Sequence, residues 1–181
     1  MIYKGNTLIN DIYVGSTKIG EVYKGSTLVS GYPSGTVLFE SGVPGTYTIN
    51  VKYKSVVHID LCGSGGAGAT SLWGSRGMTG GSAGYIYGDL FLVAGSYEIT
   101  VASPSSNASS FNGNSANGGG NASQHGAGTD GSGGTTTIVS SGLTGSNGTT
   151  GSTISRILSY GGGGHGGGSQ GQAGYCKIVV V

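Results

Sequence analysis

In four separate stretches of this chain, glycine returns at every third residue. Gly74, Gly77 and Gly80 form one run, and Gly128, Gly131 and Gly134 form another. Gly142, Gly145, Gly148 and Gly151 make the longest, and Gly168, Gly171 and Gly174 the last. A three-residue repeat is one turn of a polyproline-II-type helix, which makes no hydrogen bonds within itself. Where such helices lie side by side, every third residue meets a neighbour, and only glycine lets the two backbones close. A buried backbone donor or acceptor without a partner is costly, and ordering glycine is entropically expensive. The spacing therefore predicts several glycine-rich polyglycine-II helices in a close array, bonded to one another through the main chain. Loose Gly/Ser loops are the alternative reading of the same stretches.

Glycine fills 41 of 181 positions, yet the rest of the chain is not composed like a disordered one. Disordered chains are poor in apolar residues and rich in charge; here 35% of residues are hydrophobic, 8% are charged, and 11 are tyrosines. A net charge of +1, with the basic residues scattered, argues against a nucleic-acid partner, because phosphate binding needs clustered Lys and Arg. No stretch approaches the roughly 20 apolar residues of a membrane span. The opening "MIYKGNTLIND" lacks the apolar core of a secretory signal. The expectation is a soluble chain, without a visible export signal and without membrane insertion.

The first thirty residues repeat with a period of ten: "IYKGNTLIN", "IYVGSTKIG" and "VYKGSTLVS" set Tyr3, Tyr13 and Tyr23 in register. Each unit has two β-prone fragments around Gly-Asn or Gly-Ser, the chemistry of a two-residue hairpin turn whose first position has positive φ. Strands of three or four residues are too short to hold themselves. Residues 1–31 are thus expected to be a small β module that assembles with copies of itself, as a homotrimer or other homo-oligomer, or docks on a larger body. Residues 36–181 form a second domain. In it "GTYTINVKYKSVVHIDLC" (45–62), "YIYGDLFLVAGSYEITVA" (85–102), "TTTIVSSG" (135–142) and "YCKIVVV" (175–181) read as strands, and no segment sustains helical periodicity without a glycine. The fold class is all-β: a short N-terminal β-repeat module and a β body carrying glycine-rich helices.

Motifs for chemistry do not survive their context. "GSGGAG", Gly63 to Gly68, satisfies G-x-G-x-x-G after an apolar run, with Asp89 about twenty residues on. A dinucleotide site needs a helix to begin there, and "ATSLWGSRGMTGGSAG" is too rich in glycine to form one. No cofactor is expected. His58, His125 and His165 have no Cys or carboxylate at ligand spacing, so no metal is expected either. The seven carboxylates suggest no acid–base pair, so the chain does not read as an enzyme. His58 and Asp60 share a strand face as a solvated or hydrogen-bonded surface pair. Cys62 and Cys176 read as two buried free thiols, and a bridge between them is conceivable if their strands are neighbours.

The blocks "VVHIDLCGSGGAGA", "GGSAGYIYGDLFLVAGSYEITV", "SSFNGNSANGGG" and "GGGGHGGGSQGQAGYCKIVVV" follow one another in a telling order. Together they resemble the glycine-rich domain of bacteriophage tail-fibre and adhesin proteins, over roughly residues 36–181. "VASPSSN" departs from that pattern, in which glycine usually follows the "I-T-V". The Tyr-x-Gly-Ser-Thr decads are similar to attachment repeats on fibre proteins of phages and prophages. The resemblance implies a virion appendage, assembled in the host cytoplasm, that binds the bacterial surface through loops between polyglycine-II helices. Residues 1–31 would meet other virion proteins, and the receptor would be a host-surface glycan or protein. The candidate contacts are Trp73, Arg76 and Met78 in "SLWGSRGM", with His125 and Tyr160 beyond them. An aromatic ring beside a guanidinium can stack on a sugar and bind its hydroxyls, although Trp73 reads equally as buried mass capping the bundle. An architectural head fibre or decoration subunit without its own receptor is the alternative. An ice-binding protein is a more distant one, since glycine-helix bundles offer flat, regular faces.

Overall fold

The computed structural model describes residues 2–4, 7–9, 13–14, 17–18, 22–24, 27–70, 77–105, 107–124, 129–152, 160–164 and 168–181, those before residue 31 by backbone alone. Among them there is no helix, and the protein is all-β. Each N-terminal decad is its own antiparallel hairpin: β1 (Ile2–Lys4) with β2 (Thr7–Ile9), β3 (Tyr13–Val14) with β4 (Thr17–Lys18), and β5 (Val22–Lys24) with β6 (Thr27–Ser30). The pairs Lys4–Thr7, Val14–Thr17 and Lys24–Thr27 leave two residues between the strands of each hairpin. Those turn residues lie outside the described ones.

From Gly31 the chain enters a β-sandwich. The strands from there on are β7 (Val37–Ser41), β8 (Gly45–Val51), β9 (Ser55–Cys62), β10 (Ala69–Thr70), β11 (Gly77–Met78), β12 (Tyr85–Leu92), β13 (Gly95–Val101), β14 (Ser109–Phe111), β15 (Asn114–Ala116), β16 (Thr136–Thr137), β17 (Leu143–Ser146) and β18 (Tyr175–Val180), of which β10 and β11 form a separate hairpin outside both sandwich sheets. The first sheet has the order β17-β12-β9-β18-β7, and the second β16-β15-β14-β13-β8. All pairings are antiparallel. Alternation sets the faces: Val57, Ile59 and Leu61 of β9 are buried between the sheets, while His58 and Asp60 look outward, half-buried. Ile86, Ile178, Ile99 and Phe111 complete the same core from both sheets. Tyr32 joins it from outside the sandwich strands, edge-on to Tyr53 at 5.2 Å, with its hydroxyl accepting the Lys52 N–H at 2.8 Å. The β14–β15 turn is Asn112-Gly113, both with positive φ, which is the chemistry a two-residue type I′ hairpin requires.

Beyond one end of the sandwich, seven extended segments stand together among the described residues: 63–68, 79–84, 117–122, 129–135, 148–152, 160–164 and 169–174. Segment 79–84 is at their centre. Gly80 and Ala83 donate to the carbonyls of Gly164 and Gly161 at 2.9 and 2.8 Å; Gly81 and Gly84 donate to Gly120 and Asn117, both at 2.9 Å; Ser82 donates to Thr149 at 3.0 Å. Donors three apart thus reach the same neighbour. The pattern repeats in segment 63–68, where Gly63 and Gly66 donate to segment 79–84 and Gly65 and Gly68 donate to Gln172 and Ser169. It repeats again where Asn117 and Gly120 donate to Thr135 and Ser132. Approach is so close that a Cβ at Gly66, Gly81, Gly119 or Gly148 would overlap a carbonyl of the neighbouring segment. The opening glycines of the longest spaced run do otherwise: Gly142 is in a turn with φ +86°, and Gly145 lies in β17, paired with Ile86. A glycine every third residue also suits a turn and an edge strand, so spacing overstates the array there.

Candidate functional site

The array has two unlike ends. At one, segments 63–68, 117–122 and 148–152 follow strands β9, β15 and β17, and segments 79–84 and 129–135 run into β12 and β16. At the other, main-chain bonds gather the residues that flank three short connections. Gly80 N–H donates to Gly164 and Gly68 N–H to Ser169, both at 2.9 Å; Ala122 N–H donates to Ala67 at 2.8 Å, and Gly131 N–H to Thr79 at 2.9 Å. Asp130 adds its carboxylate, accepting the Thr79 N–H at 2.9 Å. The hairpin β10–β11, with Ala69 opposite Met78, brackets residues 71–76, and a bridge between Ser123 and Thr129 brackets 125–128.

Trp73, Arg76 and His125 lie outside the described residues, as does His165. The flanks of the segments that hold them converge on this one end. Met78 and Tyr160 leave the contact set. Met78 is wholly buried at the stem of the β10–β11 hairpin and offers a receptor no side-chain surface. Tyr160 is at the opposite end of the array, half-buried, with its ring stacked on Tyr175 at 4.7 Å and lying against Gly42. With Cys62, Ala83 and Tyr85 it forms the small cluster that joins array to sandwich.

The outer face of the first sheet carries a second group of polar and aromatic residues. Tyr85 donates its hydroxyl to Asp60 and stacks on Tyr87 at 5.4 Å. Tyr175 donates to Glu40 at 2.7 Å, and Lys177 pairs with the other oxygen of that carboxylate at 3.1 Å. The Tyr175 hydroxyl, then Lys177, hold Glu40 below the usual carboxylate range. Burial first, then the adjoining carboxylates, push Tyr85 and Tyr175 well above the usual phenol range, so both remain neutral donors. His58 and Asp60 do not bond to each other. His58 meets Asp89 across the strand pair at 2.7 Å, and Asp60 takes Tyr85. Alternation made these outward residues legible, but nothing in one sequence names their cross-strand partners.

Cys62 and Cys176 are free and buried. Their strands are neighbours, but Cys62 stands opposite Tyr175 while Cys176 stands opposite Leu61. The one-residue offset sends the two thiols to opposite faces of the sheet, which excludes a bridge. Among the described residues, no three His, Cys, Asp or Glu side chains cluster as a metal site would require.

No family model matches the sequence, and neither the curated proteins nor the solved structures contain a match to it.

Proposed function

We propose that this chain is a bacteriophage virion appendage, a fibre or adhesin that attaches to the particle through residues 1–31 and binds the host surface at the far end of its glycine array. The observation that carries this reading is polarity. The chain joins the sandwich where Gly35 N–H donates to Val180 at 2.7 Å and Val180 N–H donates to Thr36 at 2.9 Å. The flanks of 71–76, 125–128 and 165–167 gather beyond the opposite end. An attachment module at one pole and variable loops at the other is the layout of a fibre that holds a particle and meets a cell.

The array between the poles acts as the rigid spacer. Its donors recur every third residue toward the same neighbour, the bonding of threefold polyglycine-II helices. Because those bonds are made by main chain, the loops between segments are free to vary without loss of the scaffold. The ligand is a glycan or protein of the bacterial surface, and Trp73 and Arg76 are the contacts best suited to it by chemistry. The protein works as a homo-oligomer, a trimer by preference, on the virion.

Binding of the purified full-length chain to candidate host cells tests the reading. Trp73→Ala and Arg76→Ala are each expected to weaken binding by about thirtyfold or more, with the melting temperature nearly unchanged. Folded variants that bind like the parent move the contact elsewhere. Absence of binding by the parent on every susceptible host leaves an architectural virion subunit as the better description.

A further inference from the structure

Two of the connections at the far end of the array are tied to each other by side chains. Residues 71–76 are closed by the β10–β11 hairpin, whose arms continue to Ala67 and Thr79. Residues 125–128 are closed by the bridge between Ser123 and Thr129, made of two main-chain bonds of 2.9 and 3.2 Å. Each arm of the first is gripped by an arm of the second in the same way. The Ala67 N–H donates to Asn121 Oδ1 at 2.7 Å, and the Ala67 carbonyl accepts the Ala122 N–H at 2.8 Å. The Thr79 N–H donates to Asp130 Oδ1 at 2.9 Å, and the Thr79 carbonyl accepts the Gly131 N–H at 2.9 Å. Deeper in the array the same segments are joined by main chain, as where Gly81 donates to Gly120 and Gly119 to Ser64, both at 2.9 Å. The flanks of 165–167 are likewise held by main chain, through Gly164 and Ser169.

We propose that Asn121 and Asp130 are positioning residues for host-surface binding: their two clasps make the ends of connections 71–76 and 125–128 one frame, presented to the ligand at a fixed separation. The inference rests on the reading of this end of the array as the binding end. The bonding is the same twice, with a carboxamide in one clasp and a carboxylate in the other. What the two share is an acceptor oxygen on a short side chain, so position and not charge is the common chemistry. Both residues are exposed, so core packing does not account for them. Without these oxygens the Ala67 and Thr79 N–H groups have no acceptor among the described residues and turn to water. Placement adds to the argument. A single clasp would leave a pivot between the two hairpins, whereas clasps on opposite arms stop rotation as well as separation. A ligand that touches both connections then meets a surface already ordered, and binding spends less on fixing it.

The experiment measures binding of the purified full-length protein to susceptible host cells, alongside melting temperature and amide hydrogen exchange. Asn121→Ala and Asp130→Ala should each weaken binding by about twofold to tenfold, the worth of one hydrogen bond, and the two together by more than either. Asp130→Asn keeps the acceptor in place and loses the charge; it should bind like the parent. Asp130→Glu keeps the charge and displaces the acceptor by one methylene; it should bind like Asp130→Ala and serves if that variant folds poorly. Gln172→Ala is the control for stability alone. It removes a similar acceptor, that of the Gly162 N–H at 2.9 Å within the array, and should leave binding unchanged. Exchange of the Thr79 amide should quicken in Asp130→Ala and Asp130→Glu and stay slow in Asp130→Asn. Binding at the parent's level by the folded double alanine variant overturns the positioning role. So does weakened binding by Asp130→Asn with the Thr79 amide still protected, which would make the carboxylate a direct contact. A parent that binds no susceptible host, with both amides protected, overturns the host reading and this role with it, and leaves the clasps as framework.

Discussion

Cys62 and Cys176 show how one residue of register decides chemistry. Placed a residue apart on adjacent strands, they cannot meet, and each is sealed into a different apolar cluster. Burial pushes the Cys62 thiol up to about 12 and that of Cys176 upward as well. An unfolded thiol titrates near about 8.5, so the native state favours the proton that the unfolded state releases. This contribution is complete below about pH 8.5 and is lost as pH rises toward the folded value. Tyr85 and Tyr175 add a like loss above about pH 10, where unfolded tyrosines ionise. Melting temperature should hold level to about pH 8.5 and fall thereafter. The double variant Cys62→Ala, Cys176→Ala should fall less steeply between pH 8.5 and 10, whatever its starting point. Equal slopes for the two proteins would remove the thiols from the account. That both cysteines are buried was readable from the apolar runs they sit in. The register that forbids their union was not, because it depends on where β18 settles beside β9.

Among elements, the segment 142–152 separates spacing from environment. Its four glycines are equivalent in sequence and different in place. A side chain at Gly148 would overlap the Ser82 carbonyl, which belongs to the central segment and cannot yield. At Gly145 it would meet Thr136 Oγ1 and Ile138 Cδ1, side-chain atoms that can turn aside. Thr144 and Asn147 are exposed. Thermal melts should rank the valine variants accordingly. Gly148→Val should cost about 3 kcal/mol or more, Asn147→Val should stay within about 0.5 kcal/mol of neutral, and Gly145→Val should fall between them. If Gly148→Val and Asn147→Val melt together, segment 148–152 is not held in the array. The sequence spoke clearly about strands, since alternation in "SVVHIDLC" and "YCKIVVV" matches the buried face of β9 and β18. It spoke less clearly about the array, because stretches such as 161–164 are continuous glycine and carry no internal period to read.

For the whole molecule, the joint between module and body falls earlier than a glance at "GYPSG" suggests. Tyr32 is packed into the sandwich and Gly35 is bonded to Val180, so both belong to the body. A chain beginning at Gly31 should keep the melting temperature of the body and lose the oligomer. Light scattering that finds the same oligomer with and without the decads would end their assigned role. The candidate site was legible only as a set of loops. That three of them share one end follows from which segments bond to which, information that resides in main chain and not in side-chain identity. The central segment 79–84 has a further consequence for how the protein is made. Its donors wait for Gly120, Thr149, Gly161 and Gly164, and β18, from Tyr175, inserts between β9 and β7 in the middle of the first sheet. The second sheet is built from residues 45–137 alone, but the first sheet and the array cannot be completed without these later residues. Non-local closure of this kind is slow, so most of the chain must leave the ribosome before the sandwich and array are whole, with β9 and the glycine segments open to strangers in the meantime. A delay of that order makes early company between nascent copies, brought together by decads that are synthesised first, part of how such a body comes to fold.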